Sequence, residues 1–444
     1  MSKKIRDYIF ILFIIFFVAG TGLVSLYASG YKISLDWPPK MNRLLTKTGM
    51  VAVDSKPGGA TVYLNDEPQA VFSLNPWKKE YLTTAAKVKN VLPGEYTLSL
   101  KLDGYWPLNK KISVYPGQTT FIEDINLFRN DLPLLVSAMP QGELGLNPNY
   151  RYLSLAGAKK IITLKTGQEK SLGEGDWTAG RWLQDKPLFF ANGKISSPEN
   201  SGNDLDYAAL IGAGASDWYY DEDNSRIYYK SQGAISYLKI SDRTSQVAVS
   251  GGDYLTYEPR GSELFVVLNE GGRTILRHYS LDNQKASQEI SLPSVGRYRF
   301  ISKNQSYLSL YDDQNKTLYL INPGDLKNGL KTIKNIVSWE WLDAETLIYH
   351  NNWEIYLFDL RQKDAALLTR VGEEIKRIIW NKDSDYLIFS TADSLNAFDL
   401  KIGTITKILK TEQIYSPVLD DKNDILYFWA KIGQSEAAYS LRLK

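Results

Sequence analysis

Residues 380–389 read Trp-Asn-Lys-Asp-Ser-Asp-Tyr-Leu-Ile-Phe. An aromatic residue is followed by a polar run and then by an apolar triplet, which reads as strand, turn, strand. The same form appears in Trp341 to Leu347-Ile-Tyr, Tyr257 to Leu264-Phe-Val, Trp182 to Leu188-Phe-Phe, Tyr220 to Ile227-Tyr-Tyr and Phe300 to Leu308. Weaker copies run from Leu146 to Leu153 and from Val418 to Ile425-Leu-Tyr. A second strand follows each triplet: Ala397-Phe-Asp-Leu400 matches Leu357-Phe-Asp-Leu360, and His278-Tyr-Ser-Leu281 echoes both. A further variable strand, such as Thr404–Leu409, completes the unit.

The copies recur roughly every 35–44 residues, the period of a propeller blade. One four-stranded unit cannot bury both of its faces, whereas units stacked radially can. Residues 129–444 are therefore expected to form a seven- or eight-bladed β-propeller, with Leu132–Ser137 pairing with the C-terminal unit so that no long edge stays free. A chain of 444 residues is too long for one ordinary domain. Its formal net charge of +2 gives no basic face for nucleic acid. With no Cys there are no disulfides, thiolate metal sites or Cys nucleophiles, and two His leave little for a His-based zinc site. The 29 Tyr and 11 Trp favour strands.

The N-terminus is different in kind. From Tyr8 to Tyr27 the chain is uncharged and rich in Ile, Phe, Leu and Val, about the length that crosses a bilayer. Val18-Ala19-Gly20 would suit cleavage of a signal peptide, but the apolar run continues to Tyr27, which suits an uncleaved anchor. Lys3, Lys4 and Arg6 precede it closely. These charges predict a cytoplasmic tail over 1–7, a single transmembrane anchor over 8–27 in the cell membrane, and everything after Tyr27 extracytoplasmic. Residues 28–47 form a linker, stiffened at Trp37-Pro38-Pro39.

Residues 48–128 read as short strands at Met50–Asp54, Thr61–Leu64, Tyr96–Leu102, Lys111–Tyr115 and Phe121–Leu127, a small β-sandwich. Within it, Ser55-Lys-Pro-Gly-Gly-Ala60 followed by Thr-Val-Tyr-Leu-Asn-Asp66 poses a choice between a phosphate loop and a turn. No Lys-Ser/Thr follows at P-loop spacing, and β-branched and aromatic residues replace the helix that a dinucleotide loop opens, so the turn is expected. Val51-x-Val53-x-Ser55-x-Pro57-Gly-Gly-Ala60-x-Val62-Tyr63, then Leu92-Pro-Gly-Glu-Tyr96, Gly104-Tyr105 and Val114-Tyr-Pro-Gly117, resembles a PEGA domain. Gly58 stands where that family has Glu, and Thr83-Thr84 lacks the following Pro after an extra stretch around 71–80. The resemblance implies a prokaryotic, extracytoplasmic, non-catalytic β module in contact with the cell wall or surface layer. Asn147-Pro148-Asn149 and Glu258-Pro259-Arg260-Gly261 are similar to the Ser-Pro-Asp-Gly turn of TolB-type, WD40-like repeats.

Signals of chemistry are sparse. Gly214-Ala-Ser216-Asp217-Trp218 lacks the second Gly of a nucleophile elbow. His278 is expected inside a strand and His350 in a turn, each structural or solvated. Asp221-Glu-Asp-Asn224 and Asp312-Asp-Gln-Asn315 carry carboxylates without calcium-loop spacing and sit where polar turns belong. Trp77, Tyr105 and Trp106 offer ring faces for sugar stacking, although packing against the sandwich edge accounts for them. No catalytic, cofactor-binding or metal-ligating residue is singled out, and the binding face is not identified. The reading is a membrane-anchored, extracytoplasmic binding or scaffolding protein whose partner is an envelope protein or a cell-wall or surface polysaccharide. The alternative is a carbohydrate-active enzyme with its site in the propeller channel. A third possibility is a sensor that signals inward through a membrane partner.

Overall fold

The computed structural model describes residues 3–33, 45–71, 80–147, 149–171, 181–183, 186–191, 194–196, 211, 214–221, 224–283, 285–301, 306–362 and 364–444. The chain is mainly β with one N-terminal apolar helix, α1 (Lys3–Ala28). Within α1, Ile5–Ala28 is long and apolar enough to cross a membrane, and none of it is buried. The proline-stiffened segment at Trp37-Pro38-Pro39 lies outside the described residues, as do Trp77, Pro148, Glu222 and Asp223.

Two compact units are present. One is Met1–Asp131 with Phe398–Ile408 and Lys444, and the other is Leu132–Ala397 with Leu409–Leu443. In the first, two sheets share one core. Gly49–Lys56 lies between antiparallel Ala86–Val91 and parallel Thr119–Asn126, while Thr61–Leu64 and Gly94–Lys101 are central in a four-stranded antiparallel sheet with Glu67–Pro68 and Leu108–Val114 at its edges. Period-2 alternation puts Val51, Val53, Val62, Leu98, Leu100, Ile112 and Ile125 into the shared interior.

The turn at 57–60 passes from one sheet to the other. Gly59 takes φ 91°, open to Gly and strained for other residues. Thr84 clamps the turn: its carbonyl accepts Gly59 N–H at 2.7 Å, and its hydroxyl accepts Ala60 N–H at 3.0 Å and meets Ser55 Oγ at 2.6 Å. A phosphate cradle needs such N–H groups unspent. Here two of them are already satisfied inside the fold.

From residue 144 onward, antiparallel sheets follow one another in chain order over 144–171, 181–196, 216–250, 253–292, 298–334, 338–370 and 377–410. The described part of the 181–196 sheet has three strands, and the others are four-stranded meanders. A last sheet combines Gln413–Asp420, Ile425–Ile432 and Ser435–Arg442 with Leu134–Ala138, which pairs antiparallel with Ser435–Arg442. The pairing segment begins two residues later than the sequence pattern indicates.

First strands of neighbouring sheets touch. Gln413–Asp420 meets both Arg377–Asn381 and Leu144–Leu146, and Asp253–Arg260 meets both Ser216–Asp221 and Tyr298–Phe300. Among the described residues, apolar seams join the 216–250, 253–292, 298–334 and 338–370 sheets in succession. Between the last sheet and the 144–171 sheet, Tyr427, Trp429 and Ala438 pack with Leu144, Leu153, Leu155 and Ile162.

The repeated polar run has a physical job. In three sheets the residue ending the first strand, Asp221, Asn381 or Asp420, folds its side chain over the turn. Asn381 Oδ1 accepts Asp383 and Ser384 N–H, each at 3.0 Å, and Asp420 Oδ1 accepts Asn423 N–H at 3.0 Å. Four residues on, the chain goes left-handed, at Ser225, Asp385 and Asp424 with φ of 48°, 53° and 52°. A short polar side chain that binds its own backbone competes well in such a turn.

Asp312, which ends the second strand of the 298–334 sheet, makes a more complete lock of the same kind, with a left-handed residue four positions on at Lys316 (φ 49°). Its carboxylate is fully buried and takes the N–H groups of Arg297, Gln314 and Asn315 at 3.0, 3.0 and 3.2 Å, with Asn315 Nδ2 at 2.6 Å. The Asp312→Ala variant is expected to lose about 2 kcal/mol of stability, read from the urea midpoint, because buried donors lose their acceptor. Asp313→Ala, which removes only an exposed pair with Arg299 at 2.8 Å, is expected to cost under about 1 kcal/mol.

Candidate interaction surface

The hairpin connecting Thr346–His350 to Glu354–Asp359 carries Trp353 at its tip with 48% of its surface exposed. A single exposed ring is ordinary on a protein surface, so what marks this one is the network that fixes its hairpin. Asn351 Oδ1 accepts the N–H groups of Trp353 and Glu354, each at 2.8 Å, and closes the turn. Its Nδ2 donates to Glu354 Oε2 at 2.8 Å, and Tyr356 O–H donates to the same oxygen at 2.6 Å. Arg370 Nε donates to Glu354 Oε1 at 2.8 Å. The hydrogen bonds from Tyr356, Asn351 and Arg370 pull the Glu354 carboxyl down to about 2, so it stays ionised and the network stays intact through the physiological range.

The chain leaving this sheet returns to brace the hairpin. Val371 N–H donates to Trp353 O at 2.9 Å and Ile375 N–H to Asn352 O at 2.8 Å. The next sheet repeats the device: Thr411 N–H donates to Asp393 O and Ile414 N–H to Ala392 O, both at 2.8 Å. Beneath that second hairpin, Thr391 Oγ1 and Ser394 Oγ lie 2.7 Å apart, and Ser394 Oγ donates to Glu373 Oε2 at 3.3 Å. Trp353, Glu373 and Asp393 thus belong to hairpins and an exit loop of consecutive sheets on braced backbone, and the exposed ring of Tyr415 lies in the strand Gln413–Asp420 that follows. An aromatic anchor among fixed polar groups is the make-up of a binding surface whose ordering cost is met before the partner arrives.

His350 lies under this surface. The sequence places it in a turn; the structure makes it the last residue of a strand, fully buried. The turn begins one residue later, because the apolar triplet carries the strand on to His350. Its Nδ1–H donates to Asn351 O at 2.6 Å, which leaves Nε2 to accept from Ser338 Oγ at 2.8 Å. Burial pushes its pKa down to about 4, against the smaller opposing effect of the Asn351 carbonyl. A base that weak is neutral at pH 7 and gains little by taking a serine proton, so the pair is a brace for the hairpin. The folded value is depressed, so the unfolded chain binds the extra proton first. His350's contribution is complete above pH 6.5 and is lost as pH falls toward 4, on the order of 3 kcal/mol in all. Urea midpoints at pH 8 and pH 4.5 are expected to converge in His350→Leu relative to the parent.

The other candidate residues separate. His278 lies in the strand Arg273–Ser280, where its Nε2 meets Glu263 Oε2 and its Nδ1 meets Ser287 Oγ. Tyr105 packs against the core of the first unit, and Trp106 is half-buried with its backbone N–H on Phe128 O at 2.8 Å. Ser216 and Asp217 begin a strand, and Asp217 pairs with Lys230 at 2.6 Å. Asp221 is held by Asn224 Nδ2 at 2.8 Å. Among the described residues no three His, Cys, Asp or Glu side chains come together as metal ligands. Sequence reasoning missed Trp353 because nothing in Asn-Asn-Trp-Glu distinguishes an exposed ring from a buried one.

No protein-family model matches the sequence, and no curated protein does. Solved structures do resemble the chain. The Dos1 propeller is 12% identical with a TM-score of 0.47, over 71% of this chain and 96% of that one. A eukaryotic initiation factor is 14% identical with a TM-score of 0.44, over 68% and 90%. Hsv2 of Kluyveromyces lactis is 12% identical with a TM-score of 0.36, over 49% and 71%.

Proposed function

We propose that this chain is a membrane-anchored, extracytoplasmic binding protein that presents an interaction surface to an envelope partner, protein or polysaccharide. In this reading α1 is the anchor, residues 48–128 are a PEGA-like module standing near the envelope, and residues 129–444 form an eight-bladed propeller closed by Leu134–Ala138. The observation that carries the binding surface is the braced hairpin that holds Trp353 out toward solvent. The exposed apolar helix supports the anchor, and contacts between first strands together with the seam at Trp429 support the ring. Its role at this surface is binding and not turnover.

The test is retention of envelope material by full-length protein immobilised from detergent, using isolated cell-wall sacculi and solubilised envelope proteins as the two baits. Trp353→Ala is expected to weaken whichever interaction is found by roughly 30-fold, about 2 kcal/mol, as removal of a central aromatic anchor does. Unchanged retention would remove Trp353 from the interface. Protease treatment of intact cells tests the topology, with digestion of the propeller expected.

A further inference from the structure

A three-residue constellation stands apart from the Trp353 surface, on the 253–292 sheet. Glu263 opens the strand Glu263–Glu270, His278 lies on Arg273–Ser280, and Ser287 lies on Lys285–Leu292. The pairing register jumps from His278↔Gln288 to Tyr279↔Ala286, so Ser287 is the extra residue of a β-bulge. Without the bulge, alternation would send its side chain to the face opposite Gln288. The bulge re-aims it, and Ser287 Oγ comes to 2.7 Å from His278 Nδ1. On the ring's other side, His278 Nε2 contacts Glu263 Oε2.

The proton positions follow from chemistry. A carboxylate oxygen only accepts, so in the neutral form of the ring the proton sits on Nε2 and is donated to Glu263. Nδ1 then holds a lone pair, and the Ser287 hydroxyl must be the donor. The ring is fixed in plane by stacking on buried Phe265, with centroids 4.6 Å apart and planes inclined by 8°. The His278 side chain is 14% exposed and that of Glu263 39%, while Ser287 is open to solvent. A hydroxyl aimed at a base, a base oriented by an acid, and an accessible oxygen are the three relations that define an activated serine, whatever the fold.

We propose that Ser287, His278 and Glu263 form a nucleophilic serine site that takes accessible carboxylic esters, a function beyond partner binding. Ser287 Oγ adds to the ester carbonyl carbon while its proton passes to His278 Nδ1. The imidazolium so formed is stabilised through Nε2–H by the Glu263 carboxylate. Nδ1 then returns the proton to the departing alkoxide oxygen as the ester C–O bond breaks, leaving acyl-Ser287 and an alcohol. Water attacks the acyl group by the same route and releases a carboxylic acid and free Ser287.

The probe is a fluorophosphonate, from which the serine displaces fluoride, applied to the full-length protein in detergent and read by intact mass and by peptide mapping. The expected result is one phosphonyl group per chain on Ser287, none on Ser287→Ala, and labelling of Glu263→Gln slowed roughly tenfold or more, since the acid no longer stabilises the imidazolium. Ser287 is exposed, so its replacement leaves the fold intact, and an unchanged urea midpoint checks this. An unlabelled parent protein, equal labelling of Ser287→Ala, or an undiminished rate in Glu263→Gln overturns the proposal. None of these outcomes bears on Trp353, so the two readings fail separately.

Discussion

A chain lacking residues 1–30 is expected to move almost entirely from the membrane fraction to the soluble one, while the full-length protein resists extraction with carbonate. The 24 residues of Ile5–Ala28 span about 36 Å as a helix, more than the roughly 30 Å of a bilayer's hydrocarbon. Thirteen of the residues in 8–27 are Ile, Leu, Phe or Val, together worth roughly 4–8 kcal/mol in the membrane centre. Among the described residues none of this segment is buried against the rest of the chain. N-terminal sequencing of the mature protein separates an anchor from a cleaved leader: a start near Thr21 would mean cleavage after Val18-Ala19-Gly20.

Arg260→Ala is expected to cost about 3–5 kcal/mol of stability, more than the loss expected at Asp312. Glu258 is 1% exposed, and its Oε1 takes both Nε and Nη2 of Arg260 at 2.8 Å. Arg260 Nη2 also donates to Tyr307 O at 2.8 Å. Removing the guanidinium leaves a carboxylate desolvated without its counter-charge, which costs far more than the intact pair contributes. Urea midpoints of Arg260→Ala and of the double variant Glu258→Met with Arg260→Met provide the check, with the double variant expected to be the more stable. Arg277→Ala is the contrast. Its partners Glu270 and Glu289 are about half exposed, water replaces the lost interaction, and a loss under about 1 kcal/mol is expected.

The sheet repeat was legible in Trp380–Phe389 because local physics writes it there. Apolar triplets must be buried, and a turn that needs a left-handed residue selects Asn, Asp and Ser around it. The strand at Leu134–Ala138 was legible for a related reason, since the last three strands have an edge that something must cover. The small strand Ala86–Val91 was not. Its short run of Lys87, Lys89 and Asn90 between apolar residues carries no turn or length signal, and pairing with Gly49–Lys56 decides it.

The functional features divide along the same line. That Ser55–Asp66 is a turn followed by a strand could be read from residue types alone. That Thr84 spends the turn's N–H groups required the two strands to meet. The sequence put His278 in a strand and His350 in a turn and gave neither a chemical role; burial neutralises one, and a single-residue bulge gives the other a serine. By itself the sequence determined an apolar N-terminal segment, a mainly β chain and a repeat of antiparallel strands, because these rest on hydrophobic periodicity and turn chemistry within some ten residues. Only the tertiary structure decided which ring reaches solvent at Trp353 and which acid, base and hydroxyl meet at Glu263, His278 and Ser287. Exposure, register and pairing are set by contacts between residues far apart in the chain, and no local pattern encodes them.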